Sequence, residues 1–206
     1  MKITRLSPQR RNPERVSVFV DGRFSFGLHQ DTVTRLGLRE GMELTSGELD
    51  DLLHQDELRR AKEYALLLLS YRARTEHELH KRLTTKGFRP GIAVEAVDRL
   101  KQLKLIDDAR FARDFIADRV RIGHKGKRIA HLELIKLGVS REDARQALDD
   151  APSELEAARE VVSKYRSRYA RLEPAVRRRR LYAALSRRGF PYDVIKQALD
   201  LPEEDD

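Results

Sequence analysis

Three glycines, Gly87, Gly138 and Gly189, stand 51 residues apart, and each closes a stretch of helical pattern. Each has a leucine four residues before it (Leu83, Leu134, Leu185) and a bulky apolar residue directly after it (Phe88, Val139, Phe190). Eight residues beyond them come the matching tetrads EAVD (Glu95 to Asp98), QALD (Gln146 to Asp149) and QALD (Gln197 to Asp200). A helical period near 50 residues marks a repeat array, in which one unit cannot bury its apolar face and needs its neighbours. The glycines have a local reason as well. A helix often ends on one left-handed residue, which costs a residue with a Cβ about 1–2 kcal/mol and glycine little. The apolar residue that follows folds back onto the helix it has left, as in the Schellman arrangement. On this basis each glycine is a plain C-terminal cap.

Composition narrows the class of protein that such an array can be. With 37% charged and 40% hydrophobic residues and no Trp, the chain suits small helical units with a thin core. The absence of cysteine removes disulfides and thiolate metal sites and fits a reducing compartment. No apolar run is long enough to span a bilayer, and Met1 to Arg15 lacks the apolar centre of a signal peptide, so a cytoplasmic location with no membrane partner is expected. The net charge of +8 points to a polyanionic partner. Residues 1–53 balance 8 basic against 8 acidic, whereas residues 54–152 carry 22 against 16, so the excess sits in the helical part.

The first segment is different material. Val16, Val18 and Val20 alternate with other residues, and Phe24, Phe26 and Leu28 do so again across Asp21-Gly22, the pattern of a β-hairpin. A two-residue turn would put the two apolar rows on opposite faces. A three-residue loop, Val20 to Gly22, pairs Val18 with Phe24 and Val16 with Phe26 and is the expected form. Lys2 to Gln9 is expected to add a third strand, with Thr32 to Leu38 covering the apolar face of the sheet.

Helix starts are legible further on. Thr45 with Glu48 and Thr75 with Glu78 are capping boxes, the first opening a helix that runs through His54 into the first repeat. The run Leu66 to Leu69 reads as buried on more than one side, and Pro90 opens a helix through Leu103. Asp107 or Asp108 caps the next helix, where Phe111, Ala112 and Phe115 form an inward stripe. Paired carboxylates can serve acid–base chemistry, but neighbours at a helix start point in different directions, and no nucleophile or metal-ligand set accompanies them. Ser140 with Asp143 caps another helix, and the six histidines do not converge. Neither catalytic residues nor a cofactor or metal site is therefore expected.

Two basic stretches are the candidate binding elements. Arg119 and Arg121 precede Gly123-His124-Lys125-Gly126-Lys127-Arg128, read as a flexible loop leading into a helix from Ile129 to Leu137. Its lysines and arginines can meet phosphates or a carboxylate cluster, or remain solvated. It is not a P-loop, since the GxxxxGK[ST] pattern is missing. The second stretch is Arg177-Arg178-Arg179-Arg180 with Arg187-Arg188; four consecutive arginines encircle a helix, so at least one must lie along the core side.

The expected fold is mainly α: tandem three-helix repeats in an elongated, curved array behind a small N-terminal antiparallel β-hairpin or sheet. The expected divisions are 1–53 for the sheet subdomain, 54–105, 106–150 and 151–201 for three repeats, and 202–206 for an acidic tail.

Several of these residues together resemble the RecX family, regulators of the RecA recombinase. They are Leu69-Ser70-Tyr71-Arg72 with Thr75 and Glu78-Leu79, Lys86-Gly87-Phe88, Leu105-Ile106-Asp107-Asp108 with Arg110-Phe111-Ala112, and Arg119 with Gly123, Lys125-Gly126 and Arg128-Ile129. The likeness is close over about residues 58–150 and looser in the third repeat, and Val20-Asp21-Gly22 with Phe24 to Leu28 resembles the extension of longer members. Two positions depart from the family pattern. Lys104 stands where the family usually has glycine, and Leu137-Gly138-Val139 replaces a lysine-glycine-isoleucine. The resemblance implies a non-enzymatic protein that lies in the groove of the RecA–DNA nucleoprotein filament, where it blocks filament growth, strand exchange and RecA-stimulated repressor cleavage. Such a protein works in homologous recombination, DNA repair and the SOS response. Arg72, Arg119, Arg121, Lys125, Lys127, Arg128, Arg177 to Arg180, Arg187 and Arg188 are the candidate contacts with filament or DNA. The alternative is a direct, largely sequence-independent DNA-binding protein or transcriptional regulator. A mostly polar surface favours a monomer.

Overall fold

The structure, a computed structural model, describes residues 1–10 and 12–199; Asp200 of the last tetrad, Leu201 and the expected acidic tail lie outside them. Among the described residues, three strands, β1 (Ile3–Gln9), β2 (Asn12–Val20) and β3 (Arg23–His29), precede ten helices. The helices are α1 (Gln30–Arg35), α2 (Ser46–Tyr71), α3 (Glu76–Lys86), α4 (Pro90–Gln102), α5 (Asp108–Arg121), α6 (Lys127–Lys136), α7 (Arg141–Asp149), α8 (Glu154–Tyr169), α9 (Pro174–Arg187) and α10 (Tyr192–Leu199). The chain forms two compact units, one of residues 1–72 and 79–103, the other of residues 73–78 and 104 onward.

In the first unit the strands form an antiparallel sheet in the order β1-β2-β3. Asp21 (φ 48°) and Gly22 (φ 81°) are both left-handed, as in a two-residue type I′ turn whose twist suits the flanking strands. Val20 therefore faces Arg23, and the extra residue is Ser25, bulged out of β3 between the pairs Phe19–Phe24 and Val18–Phe26. This corrects the expected pairing of Val18 with Phe24 and Val16 with Phe26: the face mismatch is repaired by a bulge inside the strand and not by a longer turn. Val16 pairs with Leu28 instead. Phe24 is turned to the outer face, 59% exposed and edge-on to Phe19. On the inner face Ile3, Val18 and Leu28 are buried with Leu38, Leu44 and Leu52, and Val33 and Leu36 of the expected cover pack on them.

Helix α2 opens on the Thr45–Glu48 capping box and runs 26 residues without a break. Its buried Asp56 accepts the amide of His29 at 3.0 Å and faces Arg15, Arg59 and Arg60, which ties the sheet to the helix. The leucine run departs from expectation. Within this unit Leu68 is buried, but Leu66 and Leu67 are 43% and 50% exposed. Consecutive residues turn about 100° around a helix, so four leucines encircle it, whereas α4, the helix of its unit against which α2 chiefly packs, covers one side.

The three repeat glycines share one backbone state, with φ of 100°, 83° and 84°. Phe88 N–H donates to Leu83 O and Gly87 N–H to Thr84 O, and Phe190 and Gly189 repeat both bonds to Leu185 and Ser186, the full Schellman closure. The Gly138 end makes the inner bond, to Ile135 O at 3.0 Å. Leu83, Leu134 and Leu185 are fully buried.

Lys104 also lies in the left-handed region, at φ 58°, and is exposed. Lys104→Gly is thus expected to stabilise the chain by up to about 1 kcal/mol, the relief of a left-handed Cβ less glycine's greater unfolded freedom. Urea denaturation of the two proteins measures this.

Within the second unit one junction is built twice. Thr75, the first-turn cap of α3, donates its hydroxyl to Leu137 O at 2.7 Å, and Gly126, the cap of α6, donates its amide to Arg188 O at 2.7 Å. Thr75 and Gly126 are 51 residues apart, as are Leu137 and Arg188. The next amide in each helix meets a carboxylate that begins the following repeat: Glu76 N–H to Asp108 Oδ1 at 3.0 Å, and Lys127 N–H to Glu154 Oε1 at 2.6 Å. A carboxylate at a helix start satisfies a free amide and meets the positive end of the dipole. Of the two adjacent aspartates, Asp107 caps its own helix through Arg110 N–H, and Asp108 caps α3. Gly138 and Gly189 lie inside these junctions, against His77 and Ile129, so they are more than plain caps.

Candidate polyanion interface

The basic stretch after α5 is tied down. Lys125 N–H donates to Arg119 O at 3.0 Å, and α6 begins at Lys127, two residues earlier than expected, because Gly126 and Lys127 are held by the third repeat. His124, at φ 45°, has its ring against Lys164 and Glu160.

Four of the predicted cations are drawn into this packing. Glu133 accepts Lys125 Nζ at 2.5 Å and Arg119 Nε at 2.8 Å, and the Arg119 guanidinium also lies 4.6 Å from the Phe115 ring centre. The hydrogen bond from Lys125 holds the Glu133 carboxyl below its ordinary value; partial burial opposes this, and the charges of Lys125 and Arg119 add to it. Lys127 Nζ donates to Ala151 O at 2.9 Å. Arg188 is half-buried, its carbonyl accepting from Gly126 and its guanidinium donating to His124 O at 3.4 Å.

The other candidates, Arg177 apart, are exposed. Arg121 and Arg128 are exposed at the end of α5 and the start of α6, and Arg178, Arg179, Arg180 and Arg187 are exposed on α9. Arg177 is the half-buried member of its run, one turn before the buried Leu181, and Arg180 lies 6.0 Å from the Tyr169 ring centre. Arg72 is exposed at the end of α2, in the first unit.

Sequence reasoning missed Glu133, Glu154, Tyr182 and Tyr192. Tyr182 and Tyr192 are 41% and 68% exposed, their ring centres 6.5 Å apart, among these cations. Glu154 is half-buried, and burial pushes its carboxyl above the ordinary value, Asp193 adding to this while the Lys127 amide and charge oppose it. A carboxylate with a raised folded pKa destabilises the fold when ionised, and the deficit shrinks as pH falls through that pKa and is gone below the unfolded value. Glu154→Gln keeps the acceptor for Lys127 N–H and removes the charge. It is expected to melt above the parent at neutral pH, with the difference shrinking on acidification, as thermal scans at pH 7 and pH 4 will register.

Comparison with known proteins agrees with this architecture. Family models match in chain order: the regulatory protein RecX N-terminal domain over residues 1–45, and the first, second and third RecX three-helix domains over 61–100, 107–148 and 153–199. A protein named regulatory protein RecX from Caldanaerobacter subterraneus is 30% identical over 204 residues, spanning 98% of this chain and all of the relative. Those of Bacillus licheniformis and Bacillus subtilis are 30% and 28% identical, over 96% of this chain and 76% of each relative. Among solved structures, a crystal structure of regulatory protein RecX superposes with a TM-score of 0.73 at 23% identity, covering 97% of this chain and 99% of the other. RecX from Lactobacillus salivarius gives 0.64 at 24% identity, over 70% and 96%. These two likenesses concern the fold alone.

Proposed function

The chain belongs to the RecX family of regulatory proteins, and from that we propose that it restrains the RecA recombinase by lying in the groove of the RecA–DNA filament. Bound there as a monomer, without cofactor or catalysis, it limits filament growth, strand exchange and repressor cleavage.

The observation that carries this reading is the repeated junction. Within the second unit it holds the second repeat against the third through backbone groups and carboxylates, and Arg121, Arg128, Arg179, Arg180 and Arg187 are exposed on that pair of repeats. Exposed cations on successive repeats, with Arg128 and Arg179 one period of 51 residues apart, suit a polymer whose anionic groups also recur. The paired carboxylates, Asp107 and Asp108, are engaged as helix caps. No helix among the described residues is long and apolar enough to cross a membrane.

Titration into RecA strand-exchange and ATPase assays tests the proposal: both activities fall as the protein is added. At physiological salt it binds RecA–DNA filament much more tightly than bare DNA. Equal affinity for the two, with a log–log salt slope near −0.9 per neutralised phosphate, would instead make the protein a direct DNA binder.

A further inference from the structure

We propose that the third repeat carries a base-stacking site for single-stranded nucleic acid, centred on Tyr182 and Tyr192. The two rings meet edge to face, 62° apart, and form the wall shared by two clefts of about 540 and 390 Å³. Neither ring is used by the core, since α9 buries Leu181, Ala184 and Leu185 and α10 buries Ile195 and Ala198. In a chain with six tyrosines and no tryptophan, an exposed pair of this kind has no packing role to explain it.

Charge on either side identifies the ligand. The larger cleft runs past Arg128 and His131, and the smaller lies between Arg179 and Lys196 with no carboxylate in its lining. Glu154, the acidic group of the larger cleft, is engaged by the Lys127 amide. Arg128, Arg179 and Lys196 are exposed and make no ion pair among the described residues. Open aromatic faces between separated cations match bases flanked by phosphates, and stacking tolerates any base because each has a π-face. A duplex hides its base faces and offers phosphates and groove edges, which rings cannot stack on, and an acidic peptide would use the cations and leave the rings idle.

The site stands apart from the filament reading, because it concerns a bare strand and needs no RecA. The test uses the full chain without RecA, labelled oligo(dT), an abasic strand of equal length, and fluorescence anisotropy. Binding to oligo(dT) is expected to weaken about tenfold in Tyr182→Ala/Tyr192→Ala and to survive in Tyr182→Phe/Tyr192→Phe. The parent binds the abasic strand and an equal-length duplex more weakly than oligo(dT), and oligo(dT) quenches its tyrosine emission. No binding, equal binding to strand and abasic backbone, or an alanine variant that binds like the parent overturns the site. A circular-dichroism melt confirms that the variants fold. None of these results depends on whether RecA is inhibited.

Discussion

Gly126→Ala is expected to cost about 3 kcal/mol or more, at or beyond the upper end of what overpacking usually costs, and to separate the second repeat from the third. The backbone at Gly126 (φ −66°, ψ 147°) suits any residue, so none of this loss is conformational. It arises because an added Cβ would stand well under 3.0 Å from the carbonyl oxygen of Gly189 and the amide of Phe190, both main-chain atoms that cannot step aside. The Gly126–Arg188 hydrogen bond is lost with it. Gly87→Ala is the contrast: the position is left-handed but nothing lies within 4 Å, so the loss is about 1 kcal/mol. Gly138→Val lies between the two in kind, since it combines the left-handed penalty with a collision against the His77 side chain near its root. Urea melts of the three variants rank them. If Gly126→Ala melted like Gly87→Ala, the junction would be a loose contact and the fixed spacing proposed here would be lost.

The period of 51 was legible because its cause is local. Gly87, Gly138 and Gly189 each end a helix, and a left-handed cap needs glycine whatever surrounds it. The junctions have no such signature. Thr75 and Gly126 occupy equivalent places, yet one donates a hydroxyl and the other an amide, and only the first is a sequence signal. Asp108 and Glu154 play the same part 46 residues apart, out of step with the glycines, chiefly because α7, with 9 residues, is shorter than α4, with 13. The hairpin failed for a related reason. Alternation of Val16, Val18, Phe24 and Phe26 reveals that one residue must be extra, but Ser25 carries nothing that marks it as the bulge. Among the basic residues, the sequence shows charge but not its partner. Glu133 is 8 residues from Lys125 and 14 from Arg119, across a helix boundary, so no i, i+4 rule links them.

That neutralisation decides which charges to reverse. Under the proposed filament reading, Arg121→Glu with Arg128→Glu is expected to weaken inhibition of strand exchange about tenfold or more and to flatten its salt dependence. Both side chains are exposed and make no ion pair among the described residues, so the melting temperature should stay within a degree or two of the parent. Lys125→Glu is a different experiment. It sets a second carboxylate beside Glu133 and removes the hydrogen bond that stabilises the ionised form of that carboxyl, so the fold weakens together with any binding. The sign follows from Glu133: its depressed pKa contributes stability above the unfolded value, lost as pH falls through the folded one, and Lys125→Glu removes the largest cause of that contribution at neutral pH, leaving Arg119. A loss of inhibition in Lys125→Glu therefore carries no information about contact. In Arg121→Glu/Arg128→Glu the fold is held constant and the outward charge alone changes. Inhibition at the parent's level in that variant would remove the second repeat from the contact surface and leave the arginines of α9 to account for it.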